Sequence, residues 1–288
     1  MNREAKQDGS SQGMILVVVL WVVAMMTVIV VALSSYSQKK VSLAGLETDR
    51  LRTEATLQAG VDVGMALILA TNARDRVFFD GSAITAAIGN GRRVEVAVRD
   101  AAGLVDINRA DSKLLNALGL RLELPKESVT AITERIISQR PVPKENAGNA
   151  EKQLPPAVFV APSQLYGLPG ADPNIIQKIL PFVSLYSTDG RINPMAAPES
   201  ILQSIPGLTP EESAALADAR QRRQWKTPAV QDILQRYTLF LGVNEARIFI
   251  IEVKLVSGDG LIAGSRVKAV AAINDSGDVP FQILAWSW

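Results

Sequence analysis

The sequence predicts an α+β protein in which a long N-terminal helix packs on a small antiparallel sheet that a large all-α insertion interrupts. Three observations carry this prediction. An apolar run of 20 residues lies close to the N-terminus and merges into an amphipathic helical pattern. Alternating strand patterns occur near residue 95 and again after residue 245. The stretch between them is rich in helix signals and in Pro-Gly turns.

The composition removes much of enzyme chemistry. The 288 residues include neither histidine nor cysteine, so a Ser-His-Asp triad, a thiolate nucleophile, a disulfide and a Cys/His metal site are all excluded. No phosphate-binding loop, nucleophile elbow or EF-hand loop is present in the sequence. A Ser-Lys hydrolase remains compatible with the composition, but no spacing favours one. We therefore expect a non-enzymatic protein with no catalytic residue.

The apolar run, Met14 to Leu33, is predicted to be a transmembrane helix. Its 20 residues include Thr27 as the single clearly polar one, and a helix of this length spans about 30 Å, the thickness of the hydrocarbon core of a bilayer. A buried core helix is disfavoured because no polar stripe interrupts the run. A cleaved export signal, with Ala32-Leu33-Ser34 as its cleavage site, is the other alternative, although the run is longer than such signals usually are.

The helical pattern continues without proline to Asn72 and becomes amphipathic. One face is predicted to be polar and the opposite face apolar, with Leu57, Val61, Met65 and Ile68 facing a globular domain and Glu47, Arg50, Glu54, Gln58 and Asp62 facing away. The single helix expected over 14–72 would be about 90 Å long. A coiled-coil stalk is the alternative, and Gly45, Gly60 and Gly64 argue against a sustained heptad pattern.

Four segments have strand patterns: Arg92 to Asp100, Ala246 to Val256, Ser265 to Asn274 and Pro280 to Trp288. The first alternates valine with charged or small residues, and the last three are separated by turn-forming sequences. Because about 150 residues separate the first segment from the second, we expect one antiparallel sheet with a helical insertion at roughly 104–241.

The insertion contains internal similarity. Asp106 to Leu120 and Arg191 to Leu208 both begin with Ile-Asn near a turn, continue into a helix and stop at a glycine, with a two-residue difference in length before the helix. Each is followed by a second helix ending in arginine, and 161–180 is a third, partial copy. Such helix, tight turn, helix units are typical of helix-hairpin-helix modules, whose turn amides can bind DNA phosphate.

A membrane-anchored DNA receptor is therefore the alternative function, and charge argues against it. The region Gly103 to Phe240 has 15 Lys or Arg and 14 Asp or Glu, and the whole chain has a net charge of +1. The cationic cluster, Arg220, Arg222, Arg223 and Lys226, is better explained as the solvated C-terminal end of a helix. We expect no nucleic-acid partner.

The N-terminus resembles that of type IV prepilins and type II secretion pseudopilins, because a short polar leader ends in glycine directly before the apolar helix. The resemblance implies cleavage by prepilin peptidase between Gly13 and Met14, after which the helix stays in the mature protein. Most of these proteins have Glu at mature position five, where this chain has Val18. A subunit with nothing above it in a fibre needs no such carboxylate, which would cost about 2.5 to 3.5 kcal/mol in the bilayer.

Along nearly its whole length the chain resembles the K-type minor pseudopilin of bacterial type II secretion. The segments that carry the resemblance are the turn Asp100 to Asn108 (DAAGLVDIN), the segment Ile192 to Ala197 (INPMAA) and the closing strand with Trp286. The implied organisation is a leader at 1–13, a transmembrane helix at 14–33, the helix continuation and first strands at 34–103, two SAM-like domains at 104–241 and the final strands at 242–288.

The resemblance also implies a location and partners. The protein would be a single-pass inner-membrane protein with a periplasmic C-terminal domain, incorporated by the assembly platform at the tip of the pseudopilus. Its partners would be the I-type and J-type minor pseudopilins and other pseudopilins, and its role would be to support export of folded proteins. Calcium is plausible for the family, but Asp259, Asp275 and Asp278 have the pattern of ordinary turn residues, so no metal site is assigned.

Overall fold

A computed structural model describes residues 9–140, 158–257, 261–262, 264–274 and 280–287. Asp259, Asp275 and Asp278 lie outside these residues. Two compact units are distinguished, and each is described by itself. The first contains helix α1 up to Ala55 together with residues 261–262, and the second contains the other described residues from Thr56 onward.

Helix α1 runs over Gly9–Ala70 as one unbroken α-helix of 62 residues. It begins five residues before the predicted start at Met14, so residues 9–13, assigned above to a leader, are helical. Within the first unit its polar face is held by pairs four residues apart, such as Arg50 Nε to Glu54 Oε1 at 2.8 Å. Thr53 is buried there, and its Oγ1 accepts a hydrogen bond from the Ile262 amide at 3.0 Å.

The second unit contains a five-stranded antiparallel sheet with the order β1-β2-β5-β6-β7. The strands are β1 (Asp80–Gly89), β2 (Arg92–Asp100), β5 (Ile248–Ser257), β6 (Arg266–Ile273) and β7 (Phe281–Ser287), and the two-residue strands β3 (Val105–Asp106) and β4 (Val183–Ser184) form a separate parallel pair. Each of the four predicted strands is present, with bounds that differ by two residues or fewer.

Strand β1 was not predicted. All of its residues except Ile84 and Ile88 are small or polar, and most of the strand is exposed, so the alternation that identifies a half-buried strand is lost. The available signal was the Gly89-Asn90-Gly91 turn to β2, in which all three residues have positive φ angles, as a tight hairpin requires.

The α1 segment in the second unit packs on one face of the sheet. Leu57, Val61 and Ile68 of the predicted apolar stripe are fully buried, whereas Met65 is half-buried. They face the valines of β2 and the apolar residues of β5, which alternate inward in a common register. A Cβ atom placed on Gly60 would lie 2.5 Å from Val253 Cγ1, and one on Gly64 would lie 2.6 Å from Ile251 Cγ2. These glycines therefore allow close helix–sheet contact, and the helix packs on the sheet rather than on a coiled-coil partner.

The helical insertion connects two adjacent strands, because β2 pairs directly with β5 and Asp100 lies opposite Phe249. Its α-helices are α2 (Ser112–Arg121), α3 (Lys126–Gln139), α4 (Pro173–Ile179), α5 (Glu199–Leu202), α6 (Pro210–Gln221) and α7 (Pro228–Arg236). Their apolar sides form one core with Leu114, Leu118, Ile176, Ile201 and Leu216 at its centre, and Ile250 and Val270 of the sheet contribute to the same core. The insertion is therefore packed on the sheet face opposite α1.

Candidate membrane segment and buried polar joint

The apolar segment of α1 has the dimensions of a membrane span. Leu16–Ser34 is a 19-residue stretch with a mean hydropathy of 3.1, and none of its residues is buried within the chain. Thr27 Oγ1 donates a hydrogen bond to the Val23 carbonyl at 2.8 Å, so the polar hydroxyl is satisfied within the helix itself. A core helix would bury this surface within the chain, so the exposure of the segment disfavours that alternative. The segment is a candidate membrane anchor.

The residues assigned to processing lie in the same helix. Gly13 and Met14 are both within α1, and the Met14 side chain is 71% exposed. Val18 is 57% exposed, so the position at which the resemblance leads one to expect glutamate presents an apolar side chain to the surroundings of the helix. The structure places these three residues in one short stretch of helix.

A second group of functional interest is the polar joint, defined as Arg99, Asp100, Ala102, Asn193 and Ala196, where the end of β2 meets the insertion. Asp100 Oδ2 accepts a hydrogen bond from Asn193 Nδ2 at 2.8 Å, and Asp100 Oδ1 accepts one from the Ala102 amide at 3.1 Å. The Asn193 amide donates to the Ala102 carbonyl at 2.8 Å, and Arg99 Nη1 donates to the Ala196 carbonyl at 2.8 Å. Two segments 93 residues apart are thereby locked together.

The joint is buried and closely packed. Asp100 and Asn193 are 3% and 1% exposed. Burial raises the pKa of the Asp100 carboxyl to about 6, although its hydrogen bonds from Asn193 and Ala102 act in the opposite direction. A Cβ atom on Gly103 would lie 2.6 Å from the Ala196 carbonyl oxygen, so the glycine is required by the close approach of the two backbones. The joint therefore fixes the insertion on the sheet.

The internal repeat is confirmed by the structure, in a different register from the predicted one. Asp106 and Asn193 are the equivalent residues, since each accepts amide hydrogen bonds from the next few residues and each precedes a helix by six positions. The sequence alignment matched Asn108 with Asn193 and needed a two-residue difference in length. That alignment is wrong by two positions, and the length difference disappears.

In each copy an arginine near the end of the second helix binds the backbone of the first part of the repeat. Arg140 directly follows α3, and Arg220 lies in the last turn of α6. Arg140 donates to the Ile107 carbonyl through Nε and Nη2 and to the Ala110 carbonyl through Nη1 at 2.7 Å. Arg220 Nη1 donates to the Ala197 carbonyl at 2.7 Å. Ala110 and Ala197 are equivalent in the corrected register, so both arginines bind the same carbonyl of the repeat. These contacts were missed because the sequence shows only that arginine ends each copy.

In two helix turns within the described part of the insertion, backbone amides that could bind a phosphate are used within the chain. In the first turn the amides of Leu122, Glu123 and Leu124 donate to carbonyls of the preceding helix at 3.0 to 3.2 Å. In the second, the Glu212 carboxylate accepts the Thr209 amide at 2.9 Å and occupies the N-terminal end of α6, where a phosphate would bind. These observations disfavour the DNA-receptor alternative.

The cationic cluster is also largely used within the chain. Arg220 binds the Ala197 carbonyl, Arg222 pairs with Asp218 at 2.9 Å, and Lys226 lies 5.1 Å from the ring centre of Trp225.

Among the residues that the structure describes, no group of three or more acidic side chains is arranged to hold a metal ion. Calcium binding stays a prediction, because Asp259, Asp275 and Asp278 lie outside the described residues.

The structure and its candidate segments define a class: an α+β protein with one candidate membrane-spanning helix and a helical domain inserted between adjacent strands of its sheet. No known protein family matches the sequence, and no curated protein matches it. A search of solved structures matches the crystal structure of the GspK-GspI-GspJ complex from the type 2 secretion system of enterotoxigenic Escherichia coli. The identity is 15%, the TM-score is 0.47, and the match covers 83% of this chain and 98% of that chain.

Proposed function

We propose that this chain is the minor pseudopilin at the tip of a type II secretion pseudopilus and supports export of folded proteins across the outer membrane. The observation that carries the proposal is helix α1. Its exposed apolar segment, Leu16–Ser34, is continuous with the segment whose residues Leu57, Val61 and Ile68 are buried against the sheet. A signal peptide that is discarded would not need to be continuous with a structural helix of the folded domain.

The leader and the residue at position 18 support the finer parts of the proposal. Cleavage after Gly13 by prepilin peptidase would leave a mature chain that begins with Met14 and keeps the membrane helix, and the new N-terminus would be methylated. Because Val18 carries no charge, the mature helix has no carboxylate at this depth to neutralise the amine of a subunit above it. An apolar residue here suits a subunit at the end of a fibre, since no partner would stabilise the charge.

The proposed setting follows from this role. The anchor would hold the protein in the inner membrane with the domain after it in the periplasm, and the assembly platform would incorporate it with the I-type and J-type minor pseudopilins. The inserted helical domain would cover the end of the fibre.

Replacement of Gly13 tests the processing step. We expect Gly13→Ala, or a bulkier residue, to accumulate as the full-length precursor in the inner membrane and to block secretion, because the peptidase reads the residue before the cut. Gly9→Ala is the matched control, since Gly9 also lies in the leader and in α1. Immunoblots of fractionated cells with a secreted reporter measure both effects. Normal processing and secretion of the Gly13 variant would contradict the proposal.

A further inference from the structure

We propose that the open edge of strand β1 and the groove beside it bind an extended segment of another protein chain by β-strand addition. The proposal does not depend on the membrane function, because it concerns residues of the second unit alone. Its elements are the edge of a sheet, a groove over which side chains from an added strand would lie, and a free guanidinium at the rim of the groove.

The edge of β1 is unpaired and unprotected. Among the described strands, β1 is hydrogen-bonded to β2 on one side and to no strand on the other. Natural edge strands usually discourage pairing with charged residues or proline, whereas β1 has no proline and only Asp80 as a charged residue, at its very start. Irregular pairing occurs before Ala83 and after Ala87 and leaves a regular stretch between them. The backbone groups of that stretch are suited to binding another strand.

A groove of about 600 Å³ adjoins the first half of β1. It lies between the end of α1, the segment 75–79, strand β1 and the C-terminal part of α6, and its floor includes Leu67, Phe78 and Ile84. Ile84 lies opposite Val96, whose side chain is buried beneath α1, yet Ile84 itself is 44% exposed. The helix therefore covers the centre of the sheet and leaves the apolar side of its edge strand open.

This combination selects an extended polypeptide as the occupant. An edge strand beside a helix is the arrangement in which an added strand gains affinity from backbone hydrogen bonds and specificity from alternate side chains in a groove. Every pair of strands in the sheet is antiparallel, so the added strand is expected to run antiparallel to β1. The side chains that face the groove should be apolar.

The charges at the rim favour an acidic side chain in the added strand. Asp80 is already engaged by the Ser82 amide and hydroxyl at 2.9 and 2.6 Å, and Arg220 by the Ala197 carbonyl. Arg223 is exposed, and within the described part of the chain its guanidinium has no hydrogen bond or ion pair. Asp75 also lines the groove, so the occupant should carry a single acidic residue near Arg223 rather than an acidic run.

Fluorescence polarisation with labelled peptides and the full chain in nanodiscs tests the proposal. The probe is Ac-Val-Ser-Val-Ser-Val-Ser-Glu-NH2, in which Glu and the three valines share one face of the extended chain. The comparison peptide ends in Lys instead of Glu. We expect the Glu peptide to bind more tightly, and Arg223→Asp to reverse this preference with a change of about fivefold for the Glu peptide. Aspartate is chosen because it tolerates the φ of 54° at this position. Arg222→Asp is the matched control and should change the preference by less than about twofold, since that arginine already pairs with Asp218.

Backbone methylation distinguishes strand addition from loose apolar binding. Two further forms of the Glu peptide carry N-methyl groups on alternate residues. In one form the methyl groups block the N–H groups of one edge of the extended chain, and in the other form they block those of the opposite edge. We expect one form to lose binding and the other to keep it, because only one edge can pair with β1. Ile84→Lys should abolish binding, whereas Ile283→Lys on the opposite edge strand β7 should not. Equal binding by the two methylated forms, insensitivity to Ile84→Lys, or no binding up to about 1 mM peptide would overturn the proposal.

Discussion

Asp100 and Asn193 show how single polar residues determine where the helical insertion sits. Both oxygens of the Asp100 carboxylate accept hydrogen bonds, and Asn193 Nδ2 donates both to Asp100 and to the Val77 carbonyl at 2.9 Å. An unpaired polar group in this buried place would cost about 1 to 3 kcal/mol. The segments around these two residues were identified from the sequence, but their direct contact was not predictable because nothing local links residues so distant in the chain.

The raised pKa of Asp100 predicts a pH dependence of stability. A carboxyl whose folded pKa lies above its unfolded value holds its proton more tightly in the folded state, so its contribution to stability is present below the unfolded pKa and is lost as pH rises through the folded pKa. With values of 3.8 and about 6, the contribution of Asp100 to the free energy of unfolding should fall by about 2 to 3 kcal/mol between these pH values. The pKa of Asp106 is also raised, by burial first, and acts in the same direction. The lowered pKa values of Asp189 and Glu212 act in the opposite direction.

Denaturant unfolding of the full chain across this pH range checks the prediction, with Asp100→Asn as the variant. The variant should lack the Asp100 contribution, so its free energy of unfolding should fall by about 2 to 3 kcal/mol less than that of the unsubstituted protein over this pH range. At neutral pH the free energy of unfolding of the variant should differ from that of the unsubstituted protein by about 1 to 2 kcal/mol or less. The substitution removes a buried charge, which stabilises the protein, but it can place the new side-chain amide against the amide of Asn193, which destabilises it. An unchanged slope in the variant would show that Asp100 is not the titrating group.

Arg140 gives a second prediction at the level of residues. Its guanidinium makes three hydrogen bonds to two backbone carbonyls, a geometry that a lysine ammonium cannot reproduce from one position. We expect Arg140→Lys to lower the free energy of unfolding by about 1 to 2 kcal/mol. Arg222→Lys, which changes an exposed ion pair, should have an effect of about 0.5 kcal/mol or less in the same denaturation assay.

Helix α1 illustrates what a sequence pattern predicts about an element and what it omits. The apolar stripe of Leu57, Val61 and Ile68 and the polar face with the Arg50–Glu54 pair follow from a helical period of 3.6 residues, and the structure confirms both. Gly60 and Gly64 were interpreted only as residues that weaken a coiled coil. Their role in close contact with Val253 and Ile251 depends on the partner sheet, which the period of the helix does not reveal.

Substitution of these glycines tests the helix–sheet contact. Gly60→Ala should destabilise the protein by about 1 to 3 kcal/mol, because its Cβ overlaps Val253 and the gain in helix propensity is smaller than the cost of overpacking. Gly45→Ala is the matched control in the same helix. Nothing described lies within 4 Å of a Cβ atom at position 45, so this change should be neutral or stabilise by up to about 1 kcal/mol. Equal effects of the two substitutions in thermal or chemical unfolding would argue against the contact.

Strand β1 marks the limit of prediction at this scale. A strand exposed on most of its surface needs no apolar alternation, so small residues such as Ala83, Ala86 and Ala87 carry no periodic signal. The turn glycines on either side of Asn90 were the remaining local indication. Strand β1 lies at the edge of the sheet, which explains both its exposed residues and the open edge at which a partner could pair.

For the whole molecule, the sequence was sufficient to predict one membrane-length helix, one antiparallel sheet and one helical insertion. The adjacency of β2 and β5 explains how the insertion fits, since antiparallel neighbours with Asp100 opposite Phe249 can be joined by a connection of any length. The register of the internal repeat could be corrected only from the hydrogen bonds of Asp106 and Asn193. The side chain of each accepts a hydrogen bond from the amide two residues later, although one residue is Asp and the other Asn.

The mass of the mature N-terminus tests the central claim most directly. The membrane-bound protein, isolated from cells that contain prepilin peptidase, is digested and its N-terminal peptide identified by mass spectrometry. Our account predicts a peptide that begins with methylated Met14, so that the whole apolar segment remains in the protein. A chain that begins at Ser35, or one that keeps Met1, would contradict it.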